Sequence, residues 1–169
     1  YKAVPRMDEK VYAQIKSKNN SLSPILAGKV SVFYGASLLG DYTIRQILPG
    51  EKFKLDLGPV NFFKTKFKLE KRKYTPPSGL NTKKRYEFVY KIIVENLNDK
   101  KYKFVLYDRI PVSRDAKIKI EKIDITPEGH KIEDGTSVIK WEIDFPAKTK
   151  KTFSIGYQIE TPKDYNIGL

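Results

Sequence analysis

An all-β fold, specifically an antiparallel β-sandwich, is what this 169-residue sequence predicts. Three observations predict it. Apolar residues alternate with polar ones at period two almost throughout. Helical spacing is nearly absent. Turn-forming residues interrupt the runs at short intervals, as in sandwich domains.

Taken in chain order, "VYAQIK" places Val11, Ala13 and Ile15 on one strand face. "SLSPILAGK" carries few strand signals and reads as a loop entering a strand. "KFKLDLG" alternates again through Phe53, Leu55 and Leu57. In "NFFKTKFKL" the residues Phe63, Thr65, Phe67 and Leu69 oppose Lys64, Lys66 and Lys68. "YEFVYKIIVEN" sets Phe88, Tyr90, Ile92 and Val94 on one face, while Val89 and Ile93 make the other face partly apolar, the pattern of a central strand. "VIKWEIDF" directs Ile139, Trp141, Ile143 and Phe145 inward and Lys140, Glu142 and Asp144 to water. "TFSIGYQIE" does the same with Phe153, Ile155, Tyr157 and Ile159. Bends are expected at "LPGE" (48–51), "PPSG" (76–79), "NLND" (96–99), "TPEG" (126–129) and "EDG" (133–135), where Gly, Pro, Asn and Asp favour turn angles.

Charge divides the chain unevenly. Residues 1–84 hold 17 Lys+Arg against 6 Asp+Glu, and residues 85–169 hold 16 against 14, so +11 and +2 make the total of +13. With the turn-rich "TPPSGLNTKK" at the junction, this predicts a basic N-terminal β subdomain, 1–84, abutting a second subdomain, 85–169. The second is expected to be immunoglobulin-like over about 85–162 and to end in a short tail. No flexible linker separates them, so they are expected to pack together.

Composition narrows the function classes. With no cysteine there is no disulfide, thiolate nucleophile or zinc–thiolate site. No apolar run approaches the ~20 residues of a membrane-spanning helix. A start at Tyr1 without methionine points to a piece of a longer protein. The positive charge invites a polyanion.

The order of these signals carries a family resemblance. "YKAVPRMDEKVYAQIKSKNNSLSPILAGKVSVFYGASLLGDYTI", "ILPGEKFKLDLG", "YKIIVEN", "YDRIPVS" followed by "KIKI", "IKWEIDFPAKTKKTFSIGYQIETP" and the closing "NIGL" span the chain. Together they resemble the C-terminal domain of mucoidy inhibitor A-like proteins, domain of unknown function 4139. The resemblance implies a β-sandwich module at the end of a longer chain that carries a separate N-terminal domain. It also implies a periplasmic or envelope setting, with the cytoplasm as the alternative. It brings no catalytic residue and no cofactor.

Two stretches are candidate sites. The first is the corner in "YDRIPVSRDAKIKI". Pro111 removes a backbone donor and ends a strand, Ser113 and Asp115 are suited to bond the local backbone, and Asp108 is placed to pair with Arg109. The expectation is a structural corner. A nucleophilic site at Asp108, Ser113 and Asp115, or a triad through the single His130, would need convergence in space. The second is a basic strand–loop–strand. Lys64, Lys66 and Lys68 share one strand face at ~6.6 Å spacing, and Lys71, Arg72, Lys73, Lys83, Lys84 and Arg85 extend them, with Glu70 the one acid among residues 64–85. Such a stripe suits an acidic polysaccharide or nucleic acid, and equally blocks edge-to-edge aggregation. No metal-ligand spacing is present. The sequence therefore predicts a non-catalytic structural or protein-interaction module, partnered by another protein or by the missing N-terminal region, with polyanion binding as the alternative.

Overall fold

A computed structural model of the chain describes residues 1–34, 36–80 and 82–165. The closing "NIGL" lies outside the described residues. Twelve strands follow in order: β1 (Lys2–Val4), β2 (Asp8–Lys18), β3 (Gly28–Tyr34), β4 (Ser37–Ile44), β5 (Lys52–Val60), β6 (Phe63–Thr75), β7 (Lys83–Asn96), β8 (Tyr102–Arg109), β9 (Lys119–Thr126), β10 (Lys131–Glu133), β11 (Val138–Phe145) and β12 (Lys150–Pro162). The described residues contain no helix.

Six strands form one sheet, in the order β10-β11-β8-β1-β2-β5, and four form a second, β6-β7-β12-β9. Neighbours run antiparallel except β1 and β8, which are parallel through Lys2↔Val105 and Ala3↔Leu106. Residues 85–169 supply three strands to each sheet. Residues 1–84 add β1, β2 and β5 to the first and β6 to the second. The change in charge after residue 84 thus falls at the start of β7, the hydrogen-bonded neighbour of β6, and strands from both sides of it share each sheet.

The alternation explains the core. Trp141, Phe104, Phe145, Phe153, Ile92 and Leu106 are fully buried between the sheets, with Phe63, Phe88 and Ile125 beside them. Each such side chain contributes roughly 1.5–3 kcal/mol relative to exposure. Trp141 also donates its indole N–H to Pro127 O at 2.9 Å, which satisfies its one polar atom. The turns fall where expected. Gly50 and Gly135 take positive φ of 77° and 76°, angles that cost residues with a Cβ. Asn96, wholly buried at the end of β7, donates to Lys100 O and Pro146 O at 2.9 and 2.7 Å and accepts from Asn98 N–H, which fixes the predicted turn.

At its margins the alternation no longer predicts burial. Ile15 is 37% exposed and Leu69 49% exposed, although each shares a strand face with buried residues. Between β2 and β5 the chain leaves the two main sheets. β3 and β4 form their own two-stranded sheet, and residues 19–51 are here termed the arm. Its base is held by Asn19, which is 3% exposed and donates to Ser23 O and Ile47 O at 3.0 Å each. Ile25 and Ile47 close the base with a reciprocal backbone bridge. "SLSPILAGK" is accordingly a loop that enters β3. Tyr42 donates to Leu57 O at 2.9 Å and ties the arm to β5.

Candidate functional site

The corner after β8 resolves into two separate arrangements. Asp108 sits on the inward face of β8, 3% exposed, and its partner is Arg6. The guanidinium Nε lies 2.5 Å from Oδ1 and Nη2 3.2 Å from Oδ2. The expected Arg109 guanidinium is not the partner; only the Arg109 backbone N–H reaches Asp108, at 2.7 Å. The reason is directional: successive strand residues point to opposite faces, so Arg109 faces out when Asp108 faces in. Arg6 comes from the loop between β1 and β2 and lies over two rings, 4.4 Å from Tyr90 and 4.7 Å from Phe67. Burial draws its pKa down most strongly, but the hydrogen bond to Asp108 together with the charge of Asp108 and the nearby Tyr157 and Tyr90 leaves it raised. The neighbouring Tyr157 hydroxyl is pushed well up, first by burial and then by Tyr90. The cluster is a closed ion pair in an aromatic box.

Ser113 and Asp115 lie outside that box and are exposed. Ser113 Oγ donates to Asp115 O at 3.0 Å and accepts from Asp115 N–H at 3.1 Å, and Asp115 Oδ1 accepts from Lys117 N–H at 2.9 Å. Pro111 follows Ile110, whose N–H donates to Ser137 O at 3.1 Å. His130 packs near Trp141, ring centroids 5.8 Å apart, with Nδ1 3.4 Å from Pro127 O. No hydrogen bond joins His130 to Ser113 among the described residues. Nor does any cluster of three or more metal-ligating side chains occur among them.

On the basic strand–loop–strand, Lys64, Lys66 and Lys68 do lie on one exposed face of β6, but the neighbouring strands bring acids beside it. Lys64 stands opposite Glu95 in register. Lys71 pairs with Glu87 at 3.2 Å, and Lys73 stands opposite that same Glu87. Glu70 is taken by Lys91 at 2.6 Å. Arg85 places Nη2 2.6 Å and Nε 3.0 Å from Glu160, and Lys83 lies 3.6 Å from it. Lys84 donates to Tyr165 O. A bulge between Leu69 and Lys71 turns Arg72 toward Phe88, with 5.9 Å between guanidinium and ring centroid, so Arg72 leaves the stripe. Within residues 64–85 the sequence shows one acid; the sheet supplies Glu87, Glu95 and Glu160 from β7 and β12. Tyr74, 49% exposed, packs against Tyr86 with ring centroids 5.0 Å apart and planes tilted by 34°. The edge of β6 is also partly capped, since Glu9 accepts the Phe67 N–H at 2.6 Å and the Thr65 hydroxyl.

Two further surfaces escaped sequence reasoning. On β2 and β5, Lys16 stands directly opposite Lys54 and Lys18 opposite Lys52. The signal was present as "IKSK" and "EKFK", but only the register brings the four together. The arm is the other surface. Four of its 33 residues are charged (Lys29, Asp41, Arg45, Glu51), against 31% of the whole chain. Leu22, Leu26, Phe33, Leu38, Leu39 and Leu48 are 99%, 74%, 61%, 56%, 47% and 56% exposed.

The fold thus defines an all-β sandwich domain with a protruding two-stranded arm. Its family is shown by the match of a family model over residues 4–163: the chain belongs to the family described as Domain of unknown function (DUF4139). No curated protein and no solved structure matches it.

Proposed function

We propose that this domain is a non-catalytic interaction module whose arm is the contact surface for another protein or for another segment of the same polypeptide. The observation that carries this reading is the arm's composition against its exposure. Six large apolar side chains stand in water on a segment nearly free of charge, within an otherwise densely charged protein. The polar groups that would serve chemistry support the same reading. Asp108 is committed to Arg6, and Ser113 and Asp115 are committed to each other. In this reading residues 85–162 form an immunoglobulin-like half, supported by its three strands in each sheet. The alternative, a polyanion bound along Lys64 to Arg85, has less support because Glu87, Glu95 and Glu160 lie among those cations.

Photo-crosslinking in cells that make the whole polypeptide tests the proposal. A photoreactive residue placed at Phe33 or Leu39 is expected to give one common adduct, while one placed at exposed Lys122 on β9 gives none. Leu38→Glu should remove that adduct. Equal crosslinking from Lys122, or an adduct indifferent to Leu38→Glu, contradicts it.

A further inference from the structure

Across the outer face of the six-stranded sheet, β2 and β5 place four lysines in a rectangle. Lys16 opposes Lys54 and Lys18 opposes Lys52, in consecutive same-face registers. Directly opposed strand residues lie roughly 5 Å apart at Cβ. Same-face neighbours along a strand lie about 6.6 Å apart. Like charges so placed destabilise a sheet, and a tolerated repulsion of this kind asks what offsets it.

Among the described residues the ion pairs lie elsewhere. Lys71 has Glu87, Lys91 has Glu70, Arg85 and Lys83 have Glu160, Lys119 has Glu121, Lys140 has Glu142, Lys148 has Asp99, and Arg45 has Glu51. Among the described residues no carboxylate pairs with Lys16, Lys18, Lys52 or Lys54. The carboxylate on the same face of β5, Asp56, accepts from Gln14 at 2.8 Å, and Glu142 is held low first by Lys140 and only weakly by Lys16. All four lysines are exposed, and with Ser17 and Phe53 they line one shallow groove of about 380 Å³.

From this geometry we infer that the Lys16–Lys54/Lys18–Lys52 rectangle is a binding site for a compact oligophosphate, a ligand carrying two or more phosphate groups within about 7 Å. Charge density selects the class. Four cations in so small an area match phosphate groups, each of about −1.5 to −2, better than singly charged groups spread along a polymer. Lysine meets phosphate as a point charge without needing a fixed fork, and no arginine lines the groove. Phe53 is the one aromatic side chain along the groove, so it offers no run of stacking platforms for successive bases. The site is separate from the arm's apolar residues and does not rest on the function proposed for them.

The test is thermal unfolding and calorimetric titration with sodium tripolyphosphate, against sodium chloride at matched ionic strength. Tripolyphosphate is expected to raise the parent's Tm by several degrees at saturation. Lys18→Ser/Lys52→Ser and, separately, Lys16→Ser/Lys54→Ser should each weaken binding at least tenfold. Each should leave the ligand-free Tm at or above the parent's, since each removes an opposed pair. Lys66→Ser/Lys68→Ser on β6, with the same change in net charge, should keep the full response. Phosphatidylcholine vesicles with and without a bisphosphorylated inositol lipid separate the sources. Binding that needs this lipid and the rectangle assigns the phosphates to a headgroup; tripolyphosphate binding without vesicle binding assigns them to a free ligand. The inference is overturned by a Tm shift no larger than chloride gives, by a response that survives both double variants, or by equal loss in the β6 variant. It is also overturned if heparin or a single-stranded oligonucleotide displaces tripolyphosphate at lower charge concentration.

Discussion

The sandwich and the arm invert each other's chemistry. In the sandwich, large apolar side chains are enclosed between two sheets and charges line the outside, some of them in pairs. The arm is almost uncharged, and its leucines and Phe33 face water. The main core, from Ala3 and Val11 through Ile159, contains none of the described residues of 19–51. The arm is held instead by Asn19, the Ile25–Ile47 bridge and the Tyr42 bond to Leu57. Stability and recognition can therefore be assigned to different parts of the chain, because the side chains that hold the molecule together are not the ones it displays.

Mutations should separate the two regions by the size of their effects. Trp141→Ala removes the largest buried side chain and is expected to cost about 3–5 kcal/mol in urea unfolding. Arg6→Ala leaves Asp108 charged and unpaired inside the sandwich, with an expected cost of about 3–5 kcal/mol. Arg6→Met combined with Asp108→Leu should cost less than Arg6→Ala alone, since no buried charge is then stranded. A double variant worse than the single would show that the pair does more than satisfy itself. Asn19→Ala removes two donated hydrogen bonds at the arm's base, where Ser23 O and Ile47 O keep only Ser21 Oγ and the Ile25 N–H, and should cost about 1–3 kcal/mol. Hydrogen exchange should place that loss at the Ile25 and Ile47 amides, not in β7 or β12. Leu38→Ala comes last: exposed and outside the core, it should shift stability by no more than about 0.5 kcal/mol.

How much of this could be read from residues alone depended on the range of the interaction. Period-two alternation is local, so Trp141, Phe153, Ile92 and Phe145 declared their burial, and "NLND" and "EDG" declared their turns. The alternation marks a strand face and not how far each residue on it is covered, so Ile15 and Leu69 read as core and are not. Pairing is longer in range. Arg6 and Asp108 are 102 residues apart, and proximity in sequence favoured Arg109 in its place. The basic stripe looked unopposed for the same reason, its acids lying on β7 and β12. The opposed lysines of β2 and β5 are separated by the whole arm and meet only through register. The corner at Asp108, Pro111 and Ser113 was legible as a turn. What it conceals, an ion pair on one side and a self-bonded loop on the other, was not.

The account stands most directly on the claim that the sandwich is complete without its arm. Lys18 and Lys52 are already registered partners on adjacent strands, so residues 19–51 can be replaced by a two-residue Asn-Gly hairpin turn. Near-ultraviolet circular dichroism and urea unfolding would then be compared with the parent. The account predicts that the shortened protein keeps the Trp141 signature and a single cooperative transition, and gives no adduct from its partner. Loss of that signature, or a non-cooperative melt, would contradict it and make the arm part of the fold.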